Sequence, residues 1–379
     1  MTRTVAVSLT TRSQYARVRT VLDEFNRNPE IELEVLLTGA GVVRKYGSLK
    51  PVLEKDGIEI SRTIQNVVEG GNLASQSKTT GLAMVETTTW LHEVSPDFVM
   101  ITGDRYEIMA IVLPACYLNI PVVHLEGGEI TGSVDDKVRH ATTKFSDYHF
   151  VSTDRSRQVV RRLGEDRDRI YTPGCPSIDL AKAVVQANNT NYDPQEQKGV
   201  GAQLDVSEDY IVVQYHPVPT KYSDQYEKTW ALIDALDRVD VQKFWFWPNM
   251  DGGTDMVSKA LREFRGRRDP DNVHFLINLP PEEYLTLVNN SACMVGNSSV
   301  GIRECSYFGK PAVNIGERQQ FRERAENVTD VVCETDAIRD AVTDEIGKSY
   351  DSSKLYGDGN AGRQIADLVT ELEIEQKGS

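Results

Sequence analysis

Between His124 and His140 the chain gathers carboxylates, imidazoles and a guanidinium into seventeen residues. The run is His124-Leu125-Glu126-Gly127-Gly128-Glu129, then Ile130-Thr131-Gly132-Ser133, then Val134-Asp135-Asp136-Lys137-Val138-Arg139-His140. Groups of these types side by side are what proton transfer needs: a base, an acid and a cation to orient either one. Asn119-Ile120-Pro121-Val122-Val123 directly before them reads as a short buried strand. The acids therefore leave the carboxyl end of a strand, where open α/β sheets place ligands, and the two glycines let backbone approach a ligand closely.

Other polar groups share that position. Asp104 follows the apolar run Phe98–Thr102, where the plainer reading is an N-cap for a helix starting near Glu107. Arg12 follows the first strand, and His216 ends another in Gln214-Tyr215-His216-Pro217, although a lone histidine is more often structural. At Met294-Val295-Gly296-Asn297-Ser298-Ser299-Val300 a strand runs into a polar turn and a helix begins, so unpaired N–H groups and two hydroxyls can accept a phosphate. Serine as an ordinary N-cap is the plain alternative. Glu304 lies one to two turns further on, where a carboxylate can hold a ribose diol, and Arg318 and Arg322 follow the next strand, where they can neutralise a diphosphate. Asn249 and Asp251, just past the core strand Phe244–Trp247, are further candidates for the same ligand.

The elements that must carry these groups alternate strand and helix. Thr4–Ser8, Ile31–Leu37, Phe98–Thr102, Val122–Leu125 and Tyr148–Ser152 read as strands, with helices over Ser13–Asn26, Gln76–His92, Glu107–Leu118 and Asp136–Phe145. The pattern restarts after a polar, turn-forming stretch between Ala187 and Asp205, the expected linker. Strands at Tyr210–Gln214, Phe244–Trp247, Val273–Leu276, Ala292–Val295 and Ala312–Ile315 alternate with helices at Ser223–Leu236, Thr254–Phe264, Pro281–Asn289 and Val300–Phe308. A chain of 379 residues suits two domains. We expect 1–180 as the first Rossmann-like domain, 205–358 as the second, and an amphipathic helix, about Ala361–Gln376, in a final segment 359–379 packing back on the first. Two doubly wound domains facing a cleft are expected.

Composition narrows the partners. With 57 acidic and 42 basic residues the net charge is -15, which argues against wholesale binding of nucleic acid or anionic membrane. No run reaches membrane-span length and the opening residues enter a strand, so a cytoplasmic protein is expected. Cys116, Cys175, Cys293, Cys305 and Cys333 are odd in number and lack metal-site spacing; we read them as small core residues, with no metal site indicated.

The sequence resembles the hydrolysing UDP-N-acetylglucosamine 2-epimerases of sialic acid biosynthesis. The matching elements are Arg12-Ser-Gln-Tyr, Gly103-Asp104-Arg105, the Glu126-Gly127-Gly128-Glu129 loop, Asp135-Asp136-Lys-Val-Arg139-His140, Gly174-Cys-Pro176-Ser, Gln214-Tyr-His216-Pro217, Gly296-Asn-Ser-Ser and Gly316-Glu-Arg318-Gln. The resemblance implies a GT-B fold and conversion of UDP-GlcNAc and water to ManNAc and UDP, without cofactor or metal, in a homodimer or homotetramer. It implies anti elimination to a 2-acetamidoglucal followed by hydration. It places Asp104, Glu126 and Asp135 in the proton transfers, Arg139 beside them and His216 at the departing diphosphate. Arg12, Asn249, Ser298, Ser299, Glu304, Arg318 and Arg322 would hold UDP, and Gly127-Gly128 would make room for the sugar ring. Non-hydrolysing relatives usually carry Glu-Ala-Gly-Leu-Arg in this loop. One departure stands at Thr38-Gly39-Ala40-Gly41-Val42-Val43, where family members usually carry His-Leu. Relatives acting on UDP sugars modified at C4 or C6, as in legionaminic acid pathways, share most of these motifs. The alternatives are thus the same reaction on a modified UDP-sugar, a non-hydrolysing 2-epimerase, or a GT-B glycosyltransferase.

Overall fold

The computed structural model describes residues 2–374 apart from 45–47, 70–72, 133–134, 197–198, 219–223 and 249–253. The chain divides into two compact units: Met1–Ile130, Asp135–Asp179 and Gly357–Ser379 form unit 1, and Thr131–Val134 with Leu180–Tyr356 form unit 2. In unit 1 the strands are β1 (Arg3–Leu9), β2 (Ile31–Leu37), β3 (Arg62–Thr63), β4 (Phe98–Thr102), β5 (Val122–Leu125), β6 (Tyr148–Phe150) and β7 (Ile170–Tyr171). Its helices are α1 (Arg12–Arg27), α2 (Lys50–Lys55), α3 (Leu73–Val94), α4 (Met109–Tyr117), α5 (Asp135–Phe145) and α6 (Asp154–Arg162), and α7 (Ser177–Ala187) crosses into unit 2. Sheet order is β3-β2-β1-β4-β5-β6-β7, and every recorded pairing is parallel.

The inner strand β4 is buried along its length because both faces of the sheet are covered there, while β2 carries Glu32 and Glu34 toward its start and β3 is exposed. Alternate residues feed two cores: Val5, Val7, Leu9, Phe98 and Met100 pack on one side with α1, and Ala6, Val99 and Ile101 on the other with Ile111 and Val112 of α4. Helix α1 follows from its apolar spacing at Tyr15, Val18, Val21, Leu22 and Phe25, and Thr11 caps it by accepting a bond from the Gln14 N–H. Each of those larger side chains contributes about 2 kcal/mol by burial, more than the cap, so packing rather than capping decides where the helix lies.

Unit 2 holds β8 (Gly199–Gly201), β9 (Tyr210–Gln214), β10 (Gln242–Phe246), β11 (Val273–Leu276), β12 (Cys293–Gly296), β13 (Ala312–Ile315) and β14 (Val328–Val331). Its helices are α8 (Gln225–Asp237), α9 (Thr254–Arg268), α10 (Pro281–Asn290), α11 (Glu304–Phe308) and α12 (Thr335–Glu345). Strand order is β14-β13-β12-β9-β10-β11-β8. Again alternate residues serve two cores, Ile211, Val213, Trp245 and Val295 on one face, Tyr210, Val212, Phe244 and Met294 on the other.

Three expectations change. The stretch expected as a linker carries β8, an antiparallel edge strand on β11, and the two units meet along the chain between Asp179 and Leu180, inside α7. Its glycines are what allow β8: a Cβ on Gly199 would lie 2.1 Å from His274 Nε2, and one on Gly201 would lie 2.5 Å from the Val273 carbonyl. The helix read as Val300–Phe308 is instead a 3-10 turn, Ser299–Gly301, and the five-residue α11. The last helix, α13 (Ala361–Glu371), is shorter than read. It packs on α1 within unit 1, with Asp179 accepting the Ala361 and Gly362 N–H groups at 2.9 and 2.6 Å. Among the described residues no helix is long and apolar enough to cross a membrane.

Lys243 extends β10 past the start read from sequence. Its side chain is 1% exposed, and the amine donates to the Val239 and Val241 carbonyls at 3.0 and 2.6 Å. Burial pushes the amine down to about 8, against the nearby acids Asp237, Asp240 and Asp271 that raise it. The unfolded chain then binds more protons than the folded one between about pH 8 and the free lysine value of ~10.4. Stability should rise with pH across that window. The comparison is Lys243→Met, which has no such group. We expect the stability advantage of Lys243→Met over wild type in urea unfolding to shrink by roughly 2–3 kcal/mol between pH 7 and pH 10; a difference independent of pH would contradict this.

Candidate active site

In an open parallel sheet the connections diverge where strand order reverses, leaving a crevice at the carboxyl ends. That point in unit 1 lies between β1 and β4, and in unit 2 between β9 and β12. Residues after β1 and β4 include Arg12 and Asp104; residues after β9 and β12 include His216, Ser298 and Ser299. The polar strand ends thus coincide with the switch point of each sheet.

Within unit 1, Arg139 of α5 is the centre of the acidic group. Its guanidinium is 2% exposed and donates to the Asp104 carboxylate, to Asp136 Oδ1 at 2.5 Å and to the Glu129 carbonyl at 2.7 Å. A buried guanidinium without partners would cost several kcal/mol, so the acids are a condition of its burial. Burial alone would lower its pKa; the charges of Asp104, Glu129 and Asp136 outweigh that and raise it. The acid that Arg139 holds on its own helix is Asp136, one residue past the Asp135 expected in the proton transfers. Asp135 itself opens α5, where the helix dipole favours a carboxylate.

Glu126 stands at the end of β5, its N–H bonded to the Phe150 carbonyl at 2.9 Å. It has φ +61, a conformation costing a side-chain-bearing residue roughly 1–2 kcal/mol, and is 4% exposed. The carboxylate is gripped at both oxygens: Arg17 Nη1 donates to Oε2 at 3.1 Å, and the Cys175 thiol donates to Oε1 at 3.1 Å. Cys175 is therefore more than core filler, and Cys116 is exposed. Gly127 and Gly128 have another reason to be glycine than the expected room for a sugar. A Cβ on Gly127 would lie 2.9 Å from His124 Nδ1, and one on Gly128 2.3 Å from the Ser156 carbonyl. They are small because the protein packs against them.

Both histidines flanking this loop are held below the usual imidazole range. Burial, with the charges of His149 and Arg139, pushes fully buried His124 down to about 3, and burial with Arg139 lowers His140. Arg12 opens α1, with Nη2 3.4 Å from the Ser48 carbonyl, and burial lowers its guanidinium. Next to it Gln14, 6% exposed, ties the ends of β1 and β4 together. Its amide accepts from the Thr10 N–H at 2.7 Å and donates to the Ser8 and Thr102 carbonyls at 3.1 and 3.0 Å.

In unit 2, Gly296 has φ +139 and runs so close to β9 that a Cβ would lie 2.0 Å from the Gln214 carbonyl. Ser298 caps the following turn, its hydroxyl 3.5 Å from the Val300 N–H. The plain N-cap reading therefore holds for Ser298, and a hydroxyl in that place can also meet an anion. Ser299 begins the turn, Glu304 is 7% exposed at the start of α11, Arg318 donates to the Asn297 carbonyl at 3.1 Å, and Arg322 is buried. Asn249 and Asp251 lie outside the described residues. Among the described residues no group of three His, Cys, Asp or Glu side chains is arranged to hold a metal ion.

Arg17, Cys175, Gln14 and Asn297 join the site residues read from sequence through the contacts they make. Three of them lie inside the motifs quoted from the sequence, and that was the available signal; Arg17 lies on a helix face with none.

The sequence matches the family described as UDP-N-acetylglucosamine 2-epimerase over residues 23–370. The UDP-N,N'-diacetylbacillosamine 2-epimerase (hydrolyzing) of Legionella pneumophila is 31% identical over 378 residues, covering 100% of this chain and 98% of the relative. The GDP/UDP-N,N'-diacetylbacillosamine 2-epimerase (hydrolyzing) of Campylobacter jejuni is 27% identical, covering 86% of this chain and 84% of the relative. The crystal structure of UDP-GlcNAc 2-epimerase from Neisseria meningitidis bound to UDP-GlcNAc matches with a TM-score of 0.80 at 19% identity, covering 97% of this chain and 100% of the other. That likeness concerns the fold, and it agrees with the expected GT-B class of two doubly wound α/β units. From the match along nearly the whole sequence and the full-length relative, the chain belongs to the UDP-N-acetylglucosamine 2-epimerase family.

Proposed function

We propose that this enzyme is a hydrolysing UDP-sugar 2-epimerase whose sugar is modified in the manner of N,N'-diacetylbacillosamine, rather than plain GlcNAc. The observation that carries the reading is the Legionella relative, a hydrolysing enzyme named for that sugar and similar along all of this chain. The loop residues Glu126-Gly127-Gly128-Glu129 support hydrolysis, because non-hydrolysing relatives usually carry Glu-Ala-Gly-Leu-Arg there. The glycine turn Gly39–Val42, where His-Leu is usual, supports a sugar other than GlcNAc. Plain UDP-GlcNAc, with free ManNAc as product for sialic acid synthesis, is the second reading.

In the proposed reaction a base removes the C2 proton and the C1–O bond to UDP breaks, giving the glycal and UDP. Water then adds, its oxygen to C1 and a proton to C2 from the opposite face. Asp104 and Glu126 do the proton transfers, and Asp135 assists the hydration. Arg139 holds Asp104 in place by the bond described above. That bond and the Arg17 contact keep two carboxylates in unlike surroundings, the condition under which neighbouring acids divide acid and base work. His216 assists departure of the diphosphate. Arg12, Asn249, Ser298, Ser299, Glu304, Arg318 and Arg322 bind UDP, the arginines and serine turn supplying what an anion needs without a metal.

Two measurements test this. Given UDP-N,N'-diacetylbacillosamine and UDP-GlcNAc in parallel, the enzyme should release UDP and a free 2-epimerised sugar, with kcat/KM at least about tenfold higher for the first, since a polar group that a site is built to bond discriminates by this much or more. Preference for UDP-GlcNAc would return the reading to plain GlcNAc, and a UDP-linked 2-epimer as product would end the hydrolysing one. Asp104→Asn and Glu126→Gln should each lower kcat by about 10²–10⁴-fold while UDP affinity stays within a few-fold. Near-wild-type turnover in either would take that residue out of the proton transfers.

A further inference from the structure

The ladder between β9 and β12 ends at the pair Gln214 and Gly296. Past it the Asn297 N–H still reaches the Gln214 carbonyl, at 3.2 Å. Its side chain then does what a further strand residue would do. Asn297 Oδ1 accepts the His216 N–H at 2.7 Å and Nδ2 donates to the His216 carbonyl at 2.8 Å. The amide orientation is fixed by its partners, since an N–H needs the oxygen and a carbonyl needs the nitrogen. Both residues are buried, at 1% and 3% exposure. The Asn297 carbonyl in turn accepts from Arg318 Nη1 and Gln319 Nε2, at 3.1 and 3.2 Å. Pro217 restricts His216 further to extended backbone.

We infer that Asn297 is a positioning residue whose carboxamide clamps the His216 backbone to the serine turn, fixing the histidine relative to Ser298 and Arg318; this rests on the function proposed above. The residue type is nearly forced. A carboxamide carries a donor and an acceptor on one planar group, whereas a hydroxyl cannot span both His216 atoms and a carboxylate would face the His216 carbonyl with a like partial charge. Glutamine adds a methylene to a site closed on every side. Without the clamp, both backbone groups of His216 lose their bonds to Asn297 where two strands diverge. Displacement of a reacting group by about 1 Å is enough to lower rate about 10²-fold.

The test is a double-mutant cycle of Asn297→Ala with His216→Ala, measuring kcat, KM, UDP affinity and the UDP-dependent rise in Tm. If Asn297 acts through His216, Asn297→Ala lowers kcat about 10²-fold with UDP affinity within about threefold of wild type, and the double variant is no slower than His216→Ala. Losses that multiply in the double variant, or UDP affinity falling in step with kcat, would overturn the inference. If Asn297→Ala shows no UDP-dependent Tm rise, Asn297→Ser carries the same comparison. The functional reading fails in a different way, as a wild-type protein that releases UDP from neither UDP-sugar. The clamp is then read from the His216 imidazole NMR signal, assigned by its loss in His216→Ala: a shift in Asn297→Ala supports it, and an unchanged signal overturns it.

Discussion

A parallel sheet must bury both faces, so its inner strands admit a polar side chain only where it finds a partner inside the fold, as Lys243 does. That constraint governs both units. Strands such as Phe98–Thr102 and Tyr210–Gln214 are packed between two cores, and chemistry is displaced to the carboxyl edge, where backbone groups lose their ladder partners. At the reversal of strand order two adjacent connections leave in opposite directions and open a space. Asp104 and Arg12 flank that point in unit 1, and His216 with the Ser298 turn flanks it in unit 2.

The charged groups placed there are held by partners from elsewhere in their own unit. Arg139 is buried only because Asp104, Asp136 and the Glu129 carbonyl surround it, and Glu126 keeps a left-handed backbone while Arg17 and Cys175 take its two oxygens. Removing any one of these takes a bond from a buried charge or polar atom, which generally costs more than the bond contributes. Such a network favours one geometry over many, and proton transfer depends on geometry first and pKa second.

Much of this was legible in the sequence because it was local. Strands Ile31–Leu37, Phe98–Thr102, Val122–Leu125, Tyr210–Gln214, Val273–Leu276 and Ala312–Ile315 coincide with the spans read from sequence, the inner ones because a strand buried on both faces is written almost wholly in apolar residues. What stayed hidden depends on distance along the chain. Arg17 meets Glu126 from 109 residues away and Cys175 from 49, and no spacing rule reaches that far. Strand β8 was concealed by its glycines, which signal turns in sequence but here permit close approach to β11. Lys243 hid the start of β10 because its amine finds carbonyls inside the fold. Asp136 rather than Asp135 meets Arg139, a difference of one helix position that composition cannot resolve.

The proposed reaction begins by removing the proton at C2 of a UDP-sugar. Running the reaction in deuterated water and reading the released sugar by NMR tests it most directly. One deuterium at C2 in essentially every product molecule, with inverted configuration there, is the expected result. A released sugar that keeps its original hydrogen at C2 would mean simple cleavage at C1, and would contradict it.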